Sequence, residues 1–331
     1  MRAALVGVLY FLAAKLGSLT LMAEGTAIVW LPNGILLGFL LRFPERTAPF
    51  LFAAFAAELA ADLPAFGLIE AVCFALINLG EVLLARTLLA RWQFRSDFPE
   101  LADLFRFLLI APGASAFVAA VCGGAVYALF RGGQTTYLEF VRVWWFGDAV
   151  GLVLATPLVL AFRRSGVVPR VTRADLLVGV AAILSVVLLA ITNDGQLAGV
   201  HFGPIVLLPF VAYAATRFDM AVASGVVIAS SFVVVAMTAT ARNPFGHRTV
   251  AEAVVHAQEF LSVMGVIAIG LVAGMSSCDA PAVTSKSPIP PWRRASSSAG
   301  AGHENGCIDD RFHDGSSLCM VRDSSVSSVC Q

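Results

Sequence analysis

Ten apolar runs follow one another along this chain, each bounded by charges or by clusters of Pro, Gly and Asn. They lie at about 5–22, 26–41, 47–61, 66–90, 106–130, 137–162, 174–192, 201–216, 219–240 and 254–275. A helix needs roughly 20 apolar residues to cross the hydrocarbon core of a bilayer. Lipid offers no partner to a bare backbone, so repeated runs of this length specify helices that satisfy their own N–H and C=O groups. A composition of 58% hydrophobic and 13% charged residues, with a mean hydropathy of +0.83, excludes a soluble globular domain. The sequence therefore predicts an all-α, polytopic integral membrane bundle of eight to ten transmembrane helices. The second and eighth runs set the lower bound, because they are short and hold Pro32, Pro204 and Pro209, which points to broken or re-entrant helices. These three prolines and Pro157 are expected to kink their helices.

Net charge is zero and gives no reason to expect nucleic acid as a partner. The distribution of charge is informative instead. With ten crossings and the N-terminus inside, Arg42, Arg46, Arg86, Arg91, Arg95, Arg163, Arg164, Arg170, Arg173 and Arg217 fall in loops on one side. Glu24, Asp62, Asp194 and Glu252 fall on the other, with Arg131, Arg242 and Arg248 as exceptions. Short basic loops are retained in the cytoplasm, which puts both termini there. The N-terminal stretch has the look of a signal peptide, but Lys15 interrupts it and more runs follow, so an uncleaved first helix is expected.

Of six cysteines, Cys73 and Cys122 lie inside apolar runs and four follow residue 277 without metal-ligand spacing. His201, His247 and His256 form no HExxH-like pattern, so neither a metal nor a cofactor is expected. Glycines four apart, Gly34 with Gly38, Gly147 with Gly151 and Gly199 with Gly203, share a helix face and are candidates for close backbone packing. Residues 277–331 break the pattern: from 278 onward they contain eleven serines and no apolar period, so a disordered tail is expected there.

Ionisable groups at membrane depth are functional candidates. Glu58, Glu70 and Arg142 sit near the outer ends of their runs, where an interfacial, solvated charge is expected. Lys15, Asn78, Glu81 and Asp148 lie nearer the middle. Asn78 and Glu81 are three apart on one helix face, and Trp144, Asp148 and Gly151 share another. One cation, Lys15, set against two acids leaves one carboxylate protonated or awaiting a ligand. The alternative is that these groups only hydrogen-bond helices together. Trp145 reads as an interfacial anchor. Trp144, an aromatic beside a carboxylate, suits a cationic or amine-bearing ligand.

Several blocks resemble the MASE1 domain, a bacterial multi-pass membrane sensor module. They are VWLPNGILLGFLLRFPERTAPFLFAAFAAELAADL at 29–63, ALINLGEVLLARTLLARW at 75–92, VWWFGDAVGLVLATPLVLAF at 143–162, LLPFVAYAATRFDMAVASGVV at 207–227 and ARNPF at 241–245. The resemblance implies a membrane-embedded sensory input domain over residues 1–276, in the bacterial inner membrane, for a histidine kinase or diguanylate cyclase. It also implies a small-molecule or physical signal, the lipid bilayer as surroundings, and a cytoplasmic kinase or cyclase partner; a homodimer is compatible with it. No output motif follows residue 276. Either a separate partner chain supplies the output, or the residues beyond 277 are an out-of-frame reading of a longer gene. A transporter or channel, and an anchor that recruits a partner, are the competing functions. No catalytic motif is present, so no enzymatic activity is expected.

Overall fold

A computed structural model describes residues 2–18, 27–63, 65–131, 136–162, 171–191, 196–197, 200–201, 203–240, 244–246 and 249–279. Each of the ten apolar runs forms one helix. They are α1 (Arg2–Ser18), α2 (Leu31–Arg42), α3 (Thr47–Asp62), α4 (Leu68–Arg91), α5 (Leu101–Arg131), α6 (Tyr137–Ala161), α7 (Arg173–Ile191), α8 (Pro204–Arg217), α9 (Met220–Ala239) and α10 (Val250–Asp279). Among the described residues the elements are helical, with one short antiparallel pairing, Gln196–Leu197 with Val200–His201.

Among the described residues six helices, α4, α5, α6, α7, α9 and α10, are long and apolar enough to cross a membrane. The other four are shorter. At 12 residues, α2 measures only about 18 Å, well short of a hydrocarbon core of about 30 Å.

Pro32 and Pro204 do not kink helices as expected: each stands at the start of its helix, where the missing N–H would have no intrahelical partner anyway. Pro209 stands inside α8, where the 3-10 turn Pro204–Leu207 passes into α-helix. Pro157 does lie inside a helix. The most irregular turn is at Pro112, in a π-helical stretch, Leu109–Ser115, in the middle of α5. Trp145 is not a free interfacial anchor either. Its indole nitrogen donates to the Pro112 oxygen at 2.9 Å and its ring meets Phe117 edge-on, so the residue caps the irregular turn.

The centre of the bundle is the crossing of α2 and α6, made by the two glycine pairs. Gly34 lies against the Gly151 backbone and Ala155, and Gly38 against Val159 and the Thr156 oxygen. Membrane helices approach this closely only through small residues, because lipid supplies no hydrophobic drive for larger ones. The crossing is pinned by Trp30 N–H to Gly147 O at 3.0 Å and Thr156 Oγ1 to Gly34 O at 3.1 Å. Gly199 lies outside the described residues, as do Glu24, Asp194, His247, the arginines at 163, 164, 170, 242 and 248, and the stretch from 280 onward.

Candidate functional site

Five helices meet beside this crossing and bury a connected set of polar side chains. α1 supplies Tyr10, α2 Asn33, α3 Glu58, α4 Asn78 and Glu81, and α6 Trp144 and Asp148. Asn33 is one residue from Gly34, so the close helix crossing carries its amide into the space between α3 and α4. Asn78 and Glu81, three apart, face the same way.

The bonding can be followed atom by atom. The Tyr10 hydroxyl donates to Glu58 Oε2 at 2.6 Å, with Asn33 Oδ1 at 3.2 Å. Asn78 Nδ2 donates to the other Glu58 oxygen, Oε1. Asn33 Nδ2 donates to Glu81 Oε2 at 2.8 Å and to Asn78 Oδ1 at 3.2 Å. Trp144 Nε1 donates to Asp148 Oδ2 at 2.6 Å. Glu81 meets Asp148 carboxyl to carboxyl, a contact that is a hydrogen bond only through a proton shared between them, and among the described residues no other group donates to Glu81 Oε1. Glu58, Glu81 and Asp148 are 0%, 2% and 2% exposed, so the network is shielded from bulk solvent. Buried polar atoms left without partners are uncommon and costly, which singles out the Glu81–Asp148 contact.

A cavity of about 60 Å³ adjoins the network. Asp148, Asn78, Trp144, Trp30, Asp62 and Phe66 line it. Trp144 is held in place by Phe74 at 5.1 Å and Phe140 at 5.5 Å between ring centroids. The Trp30 indole nitrogen is buried without a hydrogen-bond partner. The cavity lies at the end of the bundle where α1 and α3 finish and α4 begins. There Arg131 clamps Glu70 through Nε at 2.9 Å and Nη2 at 3.2 Å and lies 4.9 Å from the Phe66 ring.

The candidates from the sequence separate into two groups. Asn78, Glu81, Asp148 and Trp144 come together. Lys15 does not join them: its ammonium donates to Ala61 O at 2.8 Å and neighbours Asp62. Glu58, expected at the interface, takes the central place instead. Its position near the end of α3 does not expose it, because α1, α2 and α4 cover it sideways. Glu70 is also buried, by its pairing with Arg131, whereas Arg142 is exposed. Tyr10, Trp30 and Gln258 were not foreseen. Gln258 stands in an apolar run between two other polar residues, His256 and Glu259, so the sequence did not single it out as it did Asn78.

Gln258, on α10 and 1% exposed, donates through Nε2 to Ile28 O at 3.0 Å and Val143 O at 3.1 Å. These carbonyls flank Trp30 and Trp144, two walls of the cavity. Among the described residues no group of His, Cys, Asp and Glu could hold a metal ion.

A protein-family model described as MASE1 matches residues 1–277. No curated protein and no solved structure matches the chain.

Proposed function

The chain belongs to the MASE1 family, and from that premise we propose that this membrane sensory domain receives a signal in the cavity beside Asp148 and passes it to the cytoplasm along α10. The observation that carries the reading is the Gln258 bridge. It ties the last helix to the two backbone segments that wall the cavity, so a shift of either wall acts on α10. At 30 residues, α10 is about 45 Å long, more than a hydrocarbon core requires, and it can deliver a displacement beyond the membrane. A signal acts by binding two helix arrangements unequally. Asp148, Glu81, Asn78 and Trp144 are the residues assigned to that difference.

The finer proposals are eight to ten crossings, with α1, α2, α3 and α8 counted as short or re-entrant spans, and both termini in the cytoplasm of a bacterial inner membrane. The cavity then opens toward the outside. The domain serves as the input of a histidine kinase or diguanylate cyclase system, ends near residue 277 and works with an output chain.

The test is a fusion of residues 1–277 to a diguanylate cyclase output domain, with cyclic dinucleotide production measured across a panel of external solutes. A solute-dependent output that Gln258→Leu flattens supports the reading. An output unaffected by every solute and unaltered by alanine at Asp148 and Glu81 overturns it in favour of an anchor. Solute uptake into liposomes that Asp148→Asn abolishes overturns it in favour of transport.

A further inference from the structure

The buried carboxylates are not balanced by cations. Among the described residues, no Lys, Arg or His side chain pairs with Glu58, Glu81 or Asp148; the ion pairs of Arg46, Arg95, Arg106, Arg131 and Arg217 lie elsewhere. Lys15 sits by Asp62 and Arg131 by Glu70, which uses the two basic groups nearest the cavity. Glu58 is provided with two neutral donors, Tyr10 and Asn78. The Glu81–Asp148 contact has no such neutral donor: the two carboxyls bond each other only through one shared proton, which leaves the pair with one negative charge. Glu81 is 2% exposed, and its neighbour Asp148 lines the cavity.

The rest of the lining narrows what could supply the missing charge. A metal ion requires several ligands around one point, and no group of three or more His, Cys, Asp and Glu placed to hold one occurs among the described residues. An anion would meet Asp148 and Asp62. The walls are the rings of Trp144, Trp30, Phe66 and Phe74, and aromatic faces attract organic cations, indole most strongly. A volume of about 60 Å³ accommodates a few water-sized groups, hence a short chain only.

We infer that this cavity binds a small organic cation, a protonated amine, with its ammonium against Asp148 and its carbon chain against the tryptophan walls. The inference rests on the sensory reading only for the ligand's role as a signal; binding stands by itself. Gln258 would then register occupancy, since its two acceptors flank Trp30 and Trp144.

Isothermal titration calorimetry of the full chain in lipid nanodiscs tests it, with ethylammonium chloride as the probe and ethanol and sodium chloride as the neutral and inorganic controls. Saturable heat is expected for ethylammonium alone, weakened at least about tenfold by Asp148→Asn, the scale of a lost charge-assisted hydrogen bond. Ala65→Phe, which fills the cavity from an exposed lining position without altering a carboxylate, should remove binding as well. That variant decides the matter if Asp148→Asn does not fold. No saturable heat, equal binding of ethanol or sodium, or wild-type binding by Ala65→Phe each overturns the inference. A fusion that responds to solutes while ethylammonium does not bind sinks the inference and spares the sensory reading. Binding with a silent fusion does the reverse.

Discussion

Gly34 on α2 lies against the main-chain oxygen of Gly151 on α6, and Gly151 in turn lies against the carbonyl of Trp30. A Cβ at either position would meet backbone, which cannot swing aside as a side chain can. Gly151→Ala is therefore expected to destabilise the bundle by about 3 kcal/mol or more, at or above the upper end of ordinary overpacking costs. Gly80→Ala is the control, because open space surrounds that exposed helical glycine. It should be neutral or stabilising by up to about 1 kcal/mol through helix propensity. Thermal unfolding in detergent compares them, and equal midpoints would deny the α2–α6 crossing its central role.

Asn33 and Tyr10 differ in how much of the network depends on them. Apart from a proton shared with Asp148, Asn33 is the only donor to Glu81 among the described residues, whereas Tyr10 shares Glu58 with Asn78. Asn33→Leu keeps the volume but strands a buried carboxylate, at a cost of about 3 kcal/mol. Tyr10→Phe removes one donor of two and should cost about 1–2 kcal/mol. Unfolding by SDS titration in mixed micelles measures both. A loss for Tyr10→Phe equal to that for Asn33→Leu would mean that Glu58, not Glu81, is the group most dependent on its donors.

How much of this could be read from the sequence depends on the range of the interaction. The ten helices were legible because hydrophobic runs and their breaks are local properties. The faces of Asn78 with Glu81, and of Trp144 with Asp148, were legible because spacings of three and four residues fix a helix face. The glycine pairs could be identified, but not that Gly34 would meet Gly151, since nothing local says which helix lies opposite. Glu58 and Lys15 exchanged places for the same reason: depth along a helix is local, while sideways cover by α1, α2 and α4 is tertiary. Pro112 passed unnoticed because an apolar run continues through it, and the partner that donates to its own oxygen, Trp145, comes from another helix. The prolines that begin helices read as kinks because run boundaries are uncertain by a few residues, and the first turn is where proline does no harm.

The Arg131–Glu70 pair offers a contrast with the buried network. Its geometry is bidentate, but the arginine side chain is 41% exposed. Solvent screening discounts the attraction, so Glu70→Gln and Arg131→Gln should each cost only about 1 kcal/mol or less. The loss should shrink further in high salt. Unfolding midpoints of the two variants, measured at low and high ionic strength, check this. A salt-independent loss of several kcal/mol would show that the pair behaves as a buried one.

Gln258 gives α10 its only polar hold on the cavity walls identified among the described side chains, and two carbonyls accept from it. Lower down, small residues seat α10: Gly265 packs on Val153 of α6 and Gly270 faces Leu104 of α5. Gln258→Leu preserves bulk yet removes both bonds, at about 1–3 kcal/mol of local stability for the Ile28 carbonyl, while the Val143 carbonyl keeps its partner within α6. The expected result is selective. Hydrogen–deuterium exchange should quicken in the part of α10 around residue 258 and in the segment before α2, while the lower half of α10 and α4 keep wild-type protection. Local opening of this kind reports the stability of one region rather than of the whole molecule. Uniformly faster exchange would mean that Gln258 supports the bundle as a whole. No change anywhere would mean that apolar packing fixes α10 without it, leaving the helix no polar route by which to sense the cavity.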